Sequence, residues 1–141
     1  MAQELYTAEA TATGNGRDGE VVSSDGVIDE KLATPKEMGG PGGPHTNPEQ
    51  LFAAGYAACF HSALRLVARS AKVQLGETTI TSNVSLNKSD DGKLVLSAKL
   101  VAHLPGIEQS SADQLVAQAH QVCPYSNATR GNIEVAVSAT V

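Results

Sequence analysis

Two thiols, two imidazoles, a guanidinium and a carboxylate are the side chains of this sequence whose setting could support chemistry: Cys59, Cys123, His61, His120, Arg17 and Glu49. Cys59 sits at the middle of a long apolar stretch. A cysteine there is either a small buried hydrophobe or a reactive thiol. Cys123 precedes Pro124 in a more irregular setting, 64 positions further on and without CxxC spacing, so sequence order neither joins the two nor separates them. One helical and one junctional thiol could form a mobile dithiol; two structural cysteines are the alternative. Cys59-x-His61 and His120-x-x-Cys123 also supply ligand types suited to zinc. Residues two apart on a helix point to different sides, so this pattern predicts no bound metal and leaves His61 on the less buried side of its helix. Arg17 lies in a glycine-rich loop with no local charge partner, and Glu49 lies where a helix-start anion is expected.

The element that carries Cys59 organises the rest. Residues 47–72 open with Asn47 as N-cap and Pro48 at the first helical position, and no further charge follows Glu49 until Arg65. Upstream, residues 5–13 read as a strand and 14–19 as a turn. Two short strands flank Asp25-Gly26, a strong hairpin signal. The segment 34–46 holds three prolines and four glycines and reads as a long loop within one domain. Downstream, residues 77–87 and 94–104 form a half-buried antiparallel hairpin with Leu94, Leu96, Ala98, Leu100, Ala102 and Leu104 on one face. A second helix is expected over 109–121, ended by Pro124, and a last strand over 133–141. Tyr6, Tyr56 and Tyr125 are too scattered in sequence to suggest a stacking platform. The order is α+β, one domain over residues 1–141, with an N-terminal sheet too small to enclose the helix unless a dimer completes the core.

With 141 residues, 41% of them apolar, the chain is long enough for a real core. A net charge of −5 with no basic run argues against nucleic acid and anionic membranes as partners. The first ten residues lack a basic region followed by an apolar one, so no secretory signal is expected. His61 and Arg65 interrupt the apolar run, so no membrane span is expected either. Two cysteines in such a chain are buried thiols, metal ligands or a redox pair rather than a disulfide framework. The glycines at 39–43 lack the Gly-Lys-Ser/Thr of a phosphate loop, and Asp90-Asp91-Gly92 lacks the periodic carboxylates of a calcium loop.

Two long segments carry a family resemblance: TPKEMGGPGGPHTNPEQLFAAGYAACF and AHQVCPYSNATRGN. They resemble the two signature regions of the organic hydroperoxide resistance (Ohr) proteins within the Ohr/OsmC superfamily; YTAEATATGNGRDG and SSDGVIDEKLATP resemble the same family. The resemblance implies an OsmC/Ohr-like fold, antiparallel sheets around a central helix, in an intertwined homodimer. It implies a cytoplasmic thiol peroxidase, an antioxidant enzyme that reduces organic and fatty-acid hydroperoxides without cofactor or metal and is re-reduced by a lipoylated protein or another dithiol. By resemblance Cys59 is the peroxidatic cysteine, Cys123 the resolving one that forms a disulfide with it, Arg17 the activator of the thiolate and binder of peroxide, and Glu49 the group that orients Arg17. His61 and the polar turn NKSDDGK depart from the family pattern. The OsmC branch shares the cysteine pair, but the NPEQ and CPYSNATRGN segments favour Ohr. A non-catalytic binding protein with buried structural cysteines is the rival of a different class.

The chemistry fits these roles. A thiol ionises before it attacks a peroxide oxygen, and a free cysteine is mostly protonated at neutral pH. A guanidinium over the sulfur favours the thiolate, and a carboxylate holds that guanidinium in its fork geometry. Helix arithmetic adds a constraint. Ten positions on one straight helix place Glu49 and Cys59 about 15 Å apart along its axis. One site therefore takes Glu49 and Cys59 from different subunits, or the helix kinks at Gly55.

Overall fold

The alternating segments of the sequence become two separate three-stranded sheets in the computed structural model, which describes residues 2–141. The chain forms two compact units, one ending at Leu51 and one running from Phe52 to Val141.

In the first unit β1 (Ala10–Thr13), β2 (Glu20–Ser23) and β3 (Asp29–Lys31) pair antiparallel in that order. The expected hairpin is present: Asp25 Oδ1 accepts from Ser23 Oγ at 2.6 Å and from the Val27 N–H at 3.0 Å, and Gly26 takes φ 75°. β1 is shorter than the strand expected over 5–13, because β2 offers four residues and the ladder stops at Ala10 opposite Ser23. Segment 34–46 is irregular apart from a 3-10 turn at Lys36–Met38. Its two ends are clasped where the Ala33 N–H reaches the Thr46 carbonyl at 3.0 Å and the Thr46 N–H the Lys31 carbonyl at 3.2 Å.

Helix α1 (Pro48–Ser70) starts as the sequence predicts. Asn47 Oδ1 accepts the backbone N–H of Gln50 at 2.8 Å, satisfying one of the donors a helix start leaves free, a cap that contributes about 1 kcal/mol. Over 23 residues α1 is long and apolar enough to cross a membrane by length and composition, which corrects the expectation that no segment is. Its interruption by His61 and Arg65 is too sparse to lower the hydropathy. One face of α1 goes into a core, with Tyr56, Phe60 and Leu64 fully buried, while Leu66 on another face is exposed.

The second unit packs that face of α1 against β5 (Leu94–His103) and α2 (Gln109–Val122). β4 (Thr79–Lys88) pairs antiparallel with β5 over ten residues; Ala98, Leu100, Ala102 and Leu104 point into the core as the alternation predicts, while Leu94 at the start of the same face is exposed. The predicted stripe of α2, Ala112, Leu115, Val116 and Ala119, is buried throughout. β6 (Glu134–Thr140) lies parallel to β5, from Ser97 opposite Glu134 to His103 opposite Thr140. The expectation of antiparallel sheets therefore holds for the first sheet and for β4–β5 and fails for β6. Strand direction is set by the connection, and a crossover through residues 104–133 returns the chain to the other end of β5. That crossover contains an unexpected third helix. Pro124 does end α2, but it also opens α3 (Pro124–Thr129) at its first position, where a missing N–H costs nothing.

Candidate active site

In the first unit the six-residue turn after β1 delivers Arg17. Gly19 is required there because a Cβ would sit 2.1 Å from the Thr13 carbonyl oxygen. Asp18 pins the turn by accepting the Thr34 N–H at 2.9 Å and the Thr34 hydroxyl at 3.0 Å, and these bonds, the backbone one first, hold its carboxyl below the usual aspartate range. Arg17 then meets the first-turn Glu49 of α1 through two parallel bonds, Nη1 to Oε1 at 2.7 Å and Nη2 to Oε2 at 3.2 Å. This is the fork geometry specific to guanidinium and carboxylate. The side chains retain 34% and 15% exposure, so the pair is wet on the arginine side and the guanidinium keeps a free edge. The hydrogen bond to Glu49 raises the Arg17 pKa above its ordinary value, against a smaller opposing effect of burial. The sequence showed Arg17 no local partner because the partner lies 32 positions away.

In the second unit the two cysteines come together as free thiols with Sγ–Sγ 3.6 Å. Cys59 is half-buried at mid-α1; Cys123 is fully buried. Cys123 is the single extended residue between α2 and α3 (φ −65°, ψ 125°). Burial pushes the Cys59 thiol up, the Tyr125 N–H pulls it down by bonding the sulfur, and neighbouring Cys123 pushes it up again. Within the second unit the balance of these effects holds the Cys59 thiol above its ordinary pKa.

Around the dithiol lie groups that sequence reading did not assemble. Phe52, Tyr56 and Tyr125 form an aromatic cluster with ring centroids 5.5 to 6.0 Å apart. This corrects the expectation that the tyrosines are scattered: Tyr56 and Tyr125 are 69 positions apart in sequence and adjacent in space, while exposed Tyr6 belongs to the other unit. Phe52, Leu96, Pro124, Tyr125, Ala128 and Ile133 line an open apolar groove of about 590 Å³ beside α3. His61 bonds Thr78 Oγ1 at 2.7 Å through Nε2, and Arg65 reaches the same oxygen at 3.3 Å. His120 bonds Ser126 at 2.7 Å through Nδ1. No sequence signal could have found the aromatic cluster, because Tyr56 and Tyr125 meet only once α3 has brought Tyr125 beside α1.

Comparison with known proteins gives a consistent picture. Residues 40–138 match the family model described as OsmC-like protein. An organic hydroperoxide resistance protein of Xanthomonas axonopodis pv. citri is 54% identical over 135 residues, 95% of this chain and 94% of that protein. The crystal structure of such a protein from Legionella pneumophila superposes with a TM-score of 0.92 at 51% identity, covering 99% of this chain and all of the other. OhrB of Bacillus subtilis does so with a TM-score of 0.88 at 42% identity, over 97% of this chain and 100% of that one.

Proposed function

The chain belongs to the OsmC/Ohr family and is similar over nearly its whole length to organic hydroperoxide resistance proteins, and from that premise we propose that it is a cysteine-based peroxidase protecting against organic hydroperoxides. The observation that carries this reading is the 3.6 Å approach of two free thiols from distant parts of the sequence. A buried structural cysteine needs no second thiol in contact; a redox pair does.

In this reading Cys59 attacks the terminal oxygen of the hydroperoxide. The O–O bond breaks, the alcohol leaves with a proton, and Cys59 becomes a sulfenic acid. Cys123 then condenses with it, releasing water and leaving a disulfide, before a second peroxide can over-oxidise the sulfur. A dithiol such as a lipoyl group restores both thiols by exchange. We assign Arg17, gripped by Glu49, as the cation that favours the Cys59 thiolate and stabilises charge on the peroxide oxygens. The working form is a cytoplasmic homodimer in which residues 1–141 act as one domain, and the apolar groove beside α3 supports a substrate with a hydrocarbon tail.

The test is thiol labelling before and after one equivalent of organic hydroperoxide. Loss of both thiols in a monomer of otherwise unchanged mass supports the peroxidase. Retention of both under native conditions supports the binding protein with structural cysteines. A longer apolar hydroperoxide is expected to show a higher kcat/KM than hydrogen peroxide, at about 0.8 kcal/mol per buried methylene; equal values would remove the groove from the proposal.

A further inference from the structure

Four contacts link α1, α2 and α3 around Cys123. His120 Nδ1 lies 2.7 Å from Ser126 Oγ, and Ser126 Oγ lies 2.9 Å from the Tyr56 hydroxyl. The Tyr56 hydroxyl lies 3.2 Å from Thr129 Oγ1, and Thr129 Oγ1 lies 3.2 Å from the Ser126 carbonyl oxygen. Tyr56 and Ser126 are fully buried and Thr129 nearly so, so water does not complete their bonding. A hydrogen bond needs one proton per contact, and each hydroxyl brings one. Three hydroxyls therefore satisfy three of the four contacts, and the carbonyl at the end of the row can only accept. The fourth proton must enter at the other end.

We propose that His120 is a positioning residue for disulfide formation: its Nδ1–H feeds a one-way chain, His120 to Ser126 to Tyr56 to Thr129 to the Ser126 carbonyl, that fixes α3 on α1 and so sets Cys123 against Cys59. With Nδ1 bare, three hydroxyl protons serve four contacts, and one contact of the row is left with no proton between its two acceptors. Burial first, and the Arg130 guanidinium second, lower the affinity of His120 for a second proton, so the ring is neutral at neutral pH and the row of contacts requires its single proton on Nδ1. The backbone of the same residue is held too, since Arg130 Nη2 donates to the His120 carbonyl at 2.5 Å.

The leverage follows from the hinge. Cys123 is the only residue between α2 and α3, and the six residues of α3 are too few to hold a helix without tertiary anchors. Closing the sulfurs from 3.6 Å to the bonded distance of about 2.05 Å takes a movement of roughly 1.5 Å. In that step the Cys123 sulfur attacks the Cys59 sulfur, the S–O bond of the sulfenic acid breaks, and hydroxide leaves with the Cys123 proton as water. A misplacement of about 1 Å at such a contact slows reaction on the order of 10²-fold.

This inference rests on the peroxidase reading, and the experiment separates the two. Nitrogen–proton correlation spectra of the reduced protein read the His120 tautomer: Nδ1–H is expected, and Nε2–H overturns the chain. Closure kinetics are then followed after one equivalent of organic hydroperoxide and, independently, after diamide, an azo oxidant that takes two electrons and two protons from a dithiol. His120→Asn, whose side-chain NH₂ can stand in for Nδ1–H, should close at close to the wild-type rate. His120→Leu and Tyr56→Phe should close at least about tenfold more slowly, within the range that a 1 Å misplacement produces. With excess hydroperoxide they should accumulate Cys59 sulfinic acid, while the first oxidation keeps its rate. Tyr56→Phe removes a single oxygen and keeps the test open if His120→Leu does not fold. Closure by both at the wild-type rate overturns the positioning role. If diamide shows the expected order and hydroperoxide oxidises no variant, wild type included, the positioning role stands and the peroxidase reading falls.

Discussion

Replacing Gly55 by alanine sets two effects against each other on α1. In a helix interior alanine is favoured over glycine by about 1 kcal/mol, so propensity alone predicts a more stable protein. The structure predicts the opposite. A Cβ at position 55 would lie 2.7 Å from the Tyr125 hydroxyl oxygen and 3.3 and 3.4 Å from two ring carbons. The first distance is too short to persist, and the ring is the part free to move, since Tyr125 is 37% exposed. Moving it disturbs the edge contact with Phe52 and the tilted contact with Tyr56, which at about 0.5–1.5 kcal/mol apiece amount to roughly 1–3 kcal/mol. Gly55→Ala should therefore destabilise by about 1 kcal/mol net in urea denaturation followed by far-ultraviolet circular dichroism. In a Tyr125→Ala background the same change should stabilise by about 1 kcal/mol, so the double-mutant cycle should show a coupling of roughly 2 kcal/mol. A second readout tests the functional link. The backbone N–H of Tyr125 bonds the Cys59 sulfur, so a ring movement that carries the Tyr125 backbone with it should raise the pH midpoint of Cys59 alkylation. Stabilisation by about 1 kcal/mol in both backgrounds, with alkylation unmoved, would refute the reasoning.

Three further outcomes are expected. Cys59→Ser should abolish hydroperoxide reduction, whereas Cys123→Ser should allow one oxidation per subunit and lose dithiol-driven turnover; stoichiometric oxidation of the Cys59→Ser protein would reverse or remove the assignment. Mixed dimers of Glu49→Ala and Cys59→Ser chains should recover about half the wild-type activity if Glu49 and Cys59 of one site come from different subunits, because one site then lacks both groups and one is intact; no recovery, with the heterodimer confirmed by mass, sinks the shared site. The pKa of His120 is depressed on folding, so the unfolded chain binds the extra proton more readily and stability falls as pH drops through the ordinary value of 6.5. Urea midpoints measured on both sides of that pH should fall less in His120→Asn than in wild type; equal slopes would remove His120 as the source.

What the sequence revealed depended on how far a signal had to reach. Asn47 and Pro48 mark the start of α1 because a cap acts over three residues. The alternation of 94–104 and the stripe of α2 showed their buried faces because periodicity is local. The partner of Arg17 and the meeting of the two thiols came from family resemblance alone, since separations of 32 and 64 positions carry no spacing rule. α3 was missed because a proline that ends one helix is the same residue type that opens the next. With α3 unseen, the contacts that depend on it, Tyr125 over Gly55 and His120 to Ser126, had no place in the reading. The direction of β6 was equally illegible, because side-chain alternation is the same in parallel and antiparallel strands.

The parallel pairing of β6 with β5 bears on when the thiol pair comes into being. Such a pair cannot be closed by a tight turn, and the chain between its strands, residues 104–133, contains Cys123. Until β6 docks, α2 lacks the strand it packs on and the bond from Gln109 to the Ala139 carbonyl, and Cys123 sits on an open segment at no fixed distance from Cys59. Docking pairs residues 37 positions apart, a slow, long-range event compared with forming α1 or the β4–β5 hairpin. A chain in which β6 has not yet docked would present two thiols open to mispairing between molecules, so docking of β6 joins the contacts of α3 on α1 in making them one matched couple.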